Sequence, residues 1–282
     1  MNTTIYKDTS QNAIRVSKIL KLETEAPFTG LGIKYVLSGQ EEYLLNNKKF
    51  IVKEGEYIIG NDFTSSIVKI NQSESAQGVC IDISPNLVSE VVSFHNFKGA
   101  DLSEFLLSDQ LFVNRYKVEN TYLGKILLAL SAQINSEVFE NESNIQEQFY
   151  ELTDSLILDQ KFVFEHLQKM EFKKIRTNDE VFRALLQAKT RIDESLSDHL
   201  SVDQISSEAG ISKYHFIRVF KKTFGLSPYQ YQKQQRLEQA KIELLNGESI
   251  FDTSVKYGFA DVSAFSKAFR QCFGRPPGQM RN

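Results

Sequence analysis

The sequence predicts an α+β protein of two domains. Three observations support this prediction: a phrase of residues that occurs twice near the C-terminus, a stretch of short strand patterns, and a helical stretch between the two. We expect a first domain over residues 1–174, with a small β-sandwich or β-barrel and a helical extension. A second, all-α domain is expected over residues 178–282.

The first domain has the pattern of short strands over residues 13–84. Apolar and β-branched residues cluster over 31–38, 42–45, 49–53, 57–59 and 77–83. Turn residues such as Asn46-Asn47 and Glu54-Gly55 separate these clusters. Many short strands with tight turns are typical of a sandwich or barrel.

The pattern turns helical over residues 85–174. A first helix is predicted over 119–139, with apolar residues about one turn apart at Tyr122, Ile126, Leu130, Ile134 and Val138. A second helix is predicted to open at a capping box formed by Asn144 and Glu147. Its apolar stripe is predicted at Phe149, Leu152, Leu156, Val163, Leu167 and Met170. Two such helices would either form a dimer face or cover the barrel.

The repeated phrase occupies residues 216–228 and returns at residues 265–277. Three Phe, one Gly and one Pro recur at a constant offset of 49 residues. Phe at positions i, i+4 and i+8 lies on one face of a helix, which predicts a buried face. Gly225 and Gly274 then end each helix, and Pro shortly beyond prevents continuation.

The segments before each copy repeat as well. Residues 201–211 and 249–259 each predict a short helix that opens at a Ser N-cap. Gln204 and Asp252 stand three residues after these caps, and Gly210 and Gly258 close the helices. A short helix, a Gly turn and a second helix form a helix-turn-helix, and the sequence predicts two of them.

One helix is predicted to join the two motifs. Ser227 is a good N-cap, Pro228 suits the first helical position, and residues 229–246 contain no Gly or Pro before Gly247. Such a helix would be about 27 Å long at 1.5 Å per residue. That length suits a rigid spacer, because successive major-groove faces recur about every 34 Å.

These motifs resemble the DNA-binding domain of AraC/XylS-type transcription regulators. The resemblance covers residues 178–282 and includes Gly258-Phe259 before the second recognition helix and Phe-Gly-x-x-Pro from Phe273 to Pro277. It implies sequence-specific binding of double-stranded DNA, contact with RNA polymerase and a role as a transcription activator.

The resemblance also places the residues that contact DNA. Base-facing positions fall at Tyr214, Ile217 and Arg218 in the first helix, and at Val262, Ser263, Ser266 and Lys267 in the second. Further contacts are expected at Lys213, Lys221, Lys222 and Arg270. Lys221 and Lys222 could equally be an ordinary solvated pair. Because Ile217 and Val262 offer no hydrogen bond, base recognition should depend on Arg218, Lys267 and DNA shape.

The charge distribution agrees with this division. Residues 178–282 hold 15 Lys and Arg against 12 Asp and Glu, whereas the rest holds 18 against 24. The two cysteines, Cys80 and Cys272, fall in different predicted domains and favour a reducing cytoplasm. The sequence shows neither a signal-peptide pattern nor an apolar run of membrane-span length, so we expect no membrane association.

Part of the first domain resembles the cupin-like sensor barrels that often precede this DNA-binding domain. The resemblance rests on residues 34–39, on Tyr43 and on the turns at 46–47 and 54–57. It implies a pocket for a small-molecule effector, for which Tyr35, Tyr43 and Tyr57 are the candidates. The alternative is a barrel that only packs and dimerises. The four histidines lie outside the strand region, so we expect no metal and no other cofactor.

The sequence therefore predicts a cytoplasmic, ligand-responsive activator that acts as a homodimer, with a short interdomain linker at residues 171–178. Two alternatives stay open. One is an enzyme that a DNA-binding domain targets, as in repair alkyl transferases, although no catalytic group is identified. The other is an architectural DNA-binding protein that needs no ligand.

Overall fold

The computed structural model describes residues 2–95, 101–136, 142–169, 175–197 and 200–280. Its contacts divide the chain into two compact units, Met1–Glu165 and His166–Asn282. The first unit contains an antiparallel sheet with helices and the second is helical, which confirms the predicted α+β class. Val138, Met170 and residues 171–174 of the predicted linker lie outside the described residues.

The first unit is built on an eight-stranded antiparallel sheet. Its strands are β1 (Asn2–Lys7), β2 (Ala13–Glu25), β3 (Leu31–Ser38), β4 (Gln40–Leu45), β5 (Lys48–Lys53), β6 (Glu56–Asn61), β7 (Ser66–Ile83) and β8 (Arg115–Lys117). The order β1-β2-β7-β3-β6-β8 forms the main path, and β4 pairs with β5 and β7. The long β7 therefore pairs with β2 along one edge and with β4 and β3 along the other.

Both faces of the central strands are buried. On β3, Val36 belongs to a cluster with residues of the other strands, while Leu31, Ile33 and Tyr35 alternate onto the opposite face. The cluster on the inner face consists of Phe28, Val36, Tyr43, Leu45, Phe50, Val52, Ile58, Val68, Ile70, Ala76 and Val113. This packing explains the apolar runs in the strands, because a strand buried on both faces loses its polar alternation.

Helices α1 (Pro85–Phe94), α2 (Asp101–Leu107), α3 (Tyr122–Ser136) and α4 (Glu142–Lys169) follow β7, with β8 between α2 and α3. The predicted stripe of α3 is wrong in part, because Tyr122 is 60% exposed and Leu123 and Leu127 are buried instead. A constant step of four residues advances 400° per step and drifts off one face. The predicted capping box is also wrong, since α4 already includes Glu142 and Asn144 lies inside it.

Two strands were missed altogether, since β1 and β8 lie outside the predicted barrel region of residues 13–84. The β8 strand has three residues and pairs with β6 through Tyr57 and Tyr116, whose rings stack at 5.4 Å. So short a strand leaves no alternating pattern in the sequence.

The second unit contains α5 (Ile175–Glu194), α6 (Val202–Glu208), α7 (Lys213–Phe224), α8 (Pro228–Leu245), α9 (Ile250–Lys256) and α10 (Val262–Phe273). The joining helix α8 has the predicted 18 residues, opens at the Ser227 capping box and is followed by Gly247 at φ +96°. Residues 175–178, which were assigned to the linker, instead form the first turn of α5.

Within the described ranges, no helix combines the length and apolar character that crossing a bilayer demands. The same ranges contain no group of three or more His, Cys, Asp and Glu side chains arranged to hold a metal ion.

Candidate nucleic-acid interface

The two short helices that open the motifs are capped as the sequence predicts. Ser201 Oγ accepts from the backbone N–H of Gln204 at 3.2 Å, and Gln204 Oε1 accepts from the N–H of Ser201 at 2.9 Å. Ser249 Oγ accepts from the N–H of Asp252 at 3.0 Å. The turns that follow contain Gly210 at φ +66° and Gly258 at φ +69°. These values lie in the left-handed region that favours glycine.

The two turns differ in length by one residue. Four residues (209–212) separate α6 from α7, whereas five residues (257–261) separate α9 from α10. The N-cap of α7, Ser212, makes no capping hydrogen bond, but Asp261 Oδ1 at α10 accepts from the N–H of Ala264 at 2.6 Å. The second motif therefore carries a carboxylate at the start of its recognition helix.

The buried faces of α7 and α10 match ring for ring. Ring centroids lie 5.5 Å apart for Phe216 and Phe220, and the same distance separates Phe265 and Phe269. The third ring of each stripe follows at 4.6 Å in both helices. Phe216, Phe220, Phe265 and Phe269 are all fully buried, so these residues are core and do not face solvent.

The structure brings the predicted DNA contacts onto one face of each helix. On α7 this face carries Tyr214, Ile217, Arg218 and Lys221, at steps i, i+3, i+4 and i+7. On α10 the same steps give Ser263, Ser266, Lys267 and Arg270. All eight are at least partly exposed, and Tyr214 is 87% exposed.

Lys213, Lys222 and Val262 lie beside these faces. Lys213 and Lys222 are exposed, and Val262 at the start of α10 is half-buried. The Lys213 ammonium lies 2.7 Å from Asp203 Oδ2 on α6, in an exposed ion pair. Such a pair contributes little to stability, so Lys213 can exchange its carboxylate for a phosphate at small cost.

The charges of the two recognition helices have one sign. Neither α7 nor α10 contains an acidic residue, while α7 has four Lys and Arg residues and α10 has two. Acidic residues lie instead on α6 and α9, which hold Asp203, Glu208 and Asp252. An acid-free helix face with clustered Lys and Arg attracts the phosphate backbone.

Sequence reasoning missed one polar residue on α7. His215 is half-buried, and its Nδ1 lies 3.4 Å from Arg218 Nη2. The ring thus contacts the guanidinium that the sequence predicts to face the bases. Its spacing of three residues from Arg218 was the available signal, since residues at i and i+3 are neighbours on a helix.

The three candidate effector tyrosines do not share a pocket. Tyr43 is buried on the inner face, where its hydroxyl donates to Glu41 Oε2 at 2.5 Å. The Tyr57 hydroxyl instead donates to Thr121 Oγ1 at 2.9 Å, and Ser131 Oγ donates to the Tyr35 hydroxyl at 3.4 Å. Tyr35 and Tyr57 therefore face the helical side, because alternate residues of a strand point to opposite faces.

The inner face of the sheet also buries two charged side chains. Lys34 donates to the Ala26 carbonyl and lies 4.6 Å from the centre of the Phe28 ring. Burial lowers the pKa of the Lys34 amine and raises the pKa of the Glu41 carboxyl. Phe28 packs closely against Gly60, where a Cβ atom would meet its ring at 2.5 Å. Both charged groups therefore have partners within the protein: Lys34 donates to the Ala26 carbonyl, and Glu41 accepts from the Tyr43 hydroxyl.

Comparison with known proteins places the motifs in a family. A family model described as a helix-turn-helix domain matches residues 205–282. The Msm operon regulatory protein of Streptococcus mutans is 30% identical over 189 residues, covering 66% of this chain and 65% of its own length. Regulatory protein SoxS of Salmonella typhimurium is 33% identical over 92 residues, covering 32% of this chain and 86% of SoxS. The chain belongs to the AraC/XylS family of transcription regulators.

Part of the chain is also similar to a solved structure. An AraC-type regulator from Chromobacterium violaceum is 28% identical, with a TM-score of 0.34, covering 35% of this chain and 88% of that one. The present chain spans just under two thirds of the length of the Msm protein that it matches.

The repeat within the AraC-type domain aligns the exposed faces of α7 and α10 residue by residue. An offset of 49 places Tyr214 on Ser263, His215 on Ala264, Ile217 on Ser266 and Arg218 on Lys267. At these four positions α7 bears the larger side chain, although Lys267 retains a long cationic one. The two faces of this AraC-type domain have the same geometry and different chemistry.

Proposed function

We propose that this chain is a sequence-specific DNA-binding transcription regulator that reads two adjacent major-groove segments per subunit. The observation that carries this proposal is the pair of recognition helices, each with an acid-free, partly exposed face over an identical Phe-packed face. Membership of the AraC/XylS family supports it. Helix α8, about 27 Å long, suits two readers separated by roughly one turn of DNA.

The two helices should divide the work of recognition. Arg218 can donate two hydrogen bonds to guanine O6 and N7, and the exposed Tyr214 near the start of α7 lies where such a helix enters the groove. Lys221 and Lys222, one turn further on, suit phosphates. On α10, Ser263 and Ser266 reach less far, and Lys267 and Arg270 supply the charge.

The wider role follows from the family. We propose that the protein works in the cytoplasm as a homodimer, contacts RNA polymerase and activates transcription in response to a small-molecule effector. Exposed apolar side chains on α3, Tyr122 at 60% and Leu128 at 48%, support a dimer surface. Sedimentation velocity on the full chain tests it, and a monomer at all micromolar concentrations would contradict it.

An enzyme of the alkyl-transferase type is less well supported. It needs a reactive thiolate, whereas burial raises the pKa of the Cys80 thiol despite the nearby Lys34. The Cys272 thiol is exposed, and its pKa is also raised. Neither cysteine has the environment of an activated nucleophile.

Binding to DNA from upstream of the protein's own gene tests the proposed function. Fluorescence anisotropy should show specific binding that weakens steeply with salt, since six or more phosphate contacts cost about a thousandfold in affinity between 50 and 200 mM. A shuffled duplex of the same composition is the control. Equal affinity for both duplexes at every salt concentration would contradict a sequence-specific regulator.

A further inference from the structure

A cleft lies between α1 and α4 in the first unit, away from the inner face of the sheet. Six residues line it: Glu90, Val91, Phe94, Tyr150, Glu151 and Asp154. Its volume is about 440 Å³, which falls in the range of pockets that hold small molecules. Neither recognition helix contributes to it.

Aromatic and apolar groups form the walls of this cleft. Phe94, at the last residue of α1, is 89% exposed, which leaves almost the whole ring in water. Tyr150 on α4 is 46% exposed, whereas Val91 on α1 is buried. Among the large apolar side chains of the described residues, Phe94 is the most exposed. A ligand that covered it would remove a large apolar area from water.

The rim of the cleft is acidic. Glu90 Oε1 accepts a hydrogen bond from the Tyr150 hydroxyl at 2.9 Å, and Asp154 Oδ1 contacts His95 Nε2. Glu151 follows Tyr150 on α4, and its side chain is exposed. Three carboxylates therefore line the cleft, and among the residues that the structure describes no Lys or Arg does so.

We propose that this cleft binds a small organic cation with an aromatic or aliphatic body, such as an arylalkyl ammonium compound. The faces of Phe94 and Tyr150 attract a cation by their negative quadrupole, and the carboxylates add attraction at short range. An anion of the same shape would be repelled by the rim. A neutral molecule would gain only from covering the rings.

The proposal concerns a site separate from the DNA interface and does not depend on the proposed function. Isothermal titration calorimetry tests the proposed cleft site, with benzyltrimethylammonium chloride titrated into the full chain at about 50 mM salt. We expect saturable one-to-one binding with a Kd on the order of 1 mM or tighter. Benzyl alcohol and benzoate should bind at least about fivefold more weakly. Neither compound has a cation, so both lack the attraction between the cation and the aromatic rings.

Variants locate the site. Phe94→Ala and Glu151→Gln should each weaken binding of benzyltrimethylammonium by about two- to fivefold. Phe63→Ala and Glu74→Gln are matched controls, since Phe63 is also 62% exposed and Glu74 is an exposed acid elsewhere on the unit. These should bind like the unmodified chain, and all four variants should keep its thermal unfolding midpoint because the side chains are exposed.

Three results would overturn the proposal. These are no saturation by benzyltrimethylammonium at 10-fold above the expected Kd of about 1 mM, equal binding of benzyl alcohol, and equal weakening in the cleft variants and their controls. In the first case the exposed Phe94 would point to a macromolecular partner instead.

Discussion

At the scale of single residues, the proposed interface on α7 combines a guanidinium suited to base edges with ammonium groups suited to phosphates. Arg218 contacts the His215 ring at 3.4 Å, which limits the orientations open to the guanidinium before DNA arrives. Lys221, one turn further along, has a flexible ammonium that suits a phosphate. The two cations therefore should contribute differently to specificity and to affinity.

Replacing these residues one at a time separates the two roles. Arg218→Ala should cost about 1–3 kcal/mol of binding free energy on the preferred duplex and relax preference at one base pair. Lys221→Ala should weaken binding to all duplexes alike and lower the salt slope by about 1. Anisotropy titrations against a set of single-base variants measure both effects. Lys233→Ala on α8 removes the same charge away from the reading face and serves as the control.

Identical behaviour of Arg218→Ala and Lys221→Ala across the set of duplexes would disprove this division. An equal loss of DNA affinity in Lys233→Ala would show that only the net charge of the protein determines the affinity.

The buried Glu41 gives the β-sheet unit a pH dependence. Its pKa is raised in the folded protein because burial penalises the charged carboxylate, so the folded chain holds the proton more tightly than the unfolded chain. The contribution of this group to the free energy of unfolding is therefore lost as pH rises from about 4.5 through the folded pKa. Glu41→Gln keeps an acceptor for Tyr43 and removes this loss.

We expect the stability of Glu41→Gln relative to the unmodified chain to increase as pH rises from 4 to 7. Urea unfolding at several pH values measures it, with the exposed Glu54→Gln as control. A stability difference that stays constant with pH would contradict the assignment of burial as the cause.

At the scale of elements, the caps of the second unit show which local interactions stabilise the motifs. Ser201 forms a reciprocal capping box with Gln204, whereas Ser212 stands at the N-cap of α7 without a capping hydrogen bond. Serine therefore stands at the N-cap of both α6 and α7, with a capping hydrogen bond at α6 and without one at α7. This offers a matched pair for measurement.

Ser201→Ala should lower the free energy of unfolding by about 1 kcal/mol, because the backbone N–H of Gln204 on α6 loses its acceptor, the Ser201 hydroxyl. Ser212→Ala should change it by less than about half of that, since no capping bond is lost. Thermal unfolding of the two variants measures the difference. Equal midpoints would mean that the box does not stabilise the first motif.

The carboxylate at the start of α10 should act against DNA binding. Asp261→Asn keeps an oxygen that can accept from the N–H of Ala264 and removes a negative charge next to the reading face. We expect DNA affinity to rise about two- to tenfold at low salt, with unchanged stability, and this gain to shrink at high salt. Asp109→Asn in the first unit is the control, and an equal gain there would point to net charge alone.

The elements also show how far the sequence could predict the structure. β3 was predicted with its observed bounds, since every residue from Leu31 to Leu37 except Lys34 is apolar or glycine, and Gly39 follows. Both recognition helices were found because Phe spacing fixes a buried face. In contrast, α3 was given the wrong stripe, because several apolar residues compete and only packing decides between Tyr122 and Leu123.

The candidate interface rests on a different signal in the sequence from the other predictions. A repeated sequence supplies its own comparison, so Arg218 and Lys267 could be aligned without knowledge of the fold. The contact between His215 and Arg218 could not be predicted, because it depends on side-chain conformations. The opposite orientations of Tyr43 and Tyr57 could not be predicted either, because they depend on the register of the strands.

At the scale of the whole molecule, the chain carries two helix-turn-helix motifs joined by a helix of fixed length. Helix α8 is uninterrupted from Pro228 to Leu245, and Leu237, Ala240 and Leu244 pack in the core of the second motif. The distance between readers is therefore set by covalent structure and packing. Under the proposed function, DNA presents its two segments at a matching distance.

Inserting base pairs between the two recognised segments tests this rigidity. Five additional base pairs rotate one segment by about half a turn, and ten restore the face but add about 34 Å. Both insertions should reduce affinity to that of a single motif, because α8 cannot lengthen. Footprinting and anisotropy measure the result, and recovery of full affinity at ten base pairs would show that the readers move independently.

The matching ring distances in α7 and α10 have a consequence for evolution. Because the Phe packing beneath each helix is the same, the solvent-facing residues can diverge without repacking the core, and one copy can acquire a new target while the other retains the old one. Changes in target preference and changes in thermal stability then arise from separate sets of mutations. A domain built this way can drift toward new promoters without first passing through unstable intermediates.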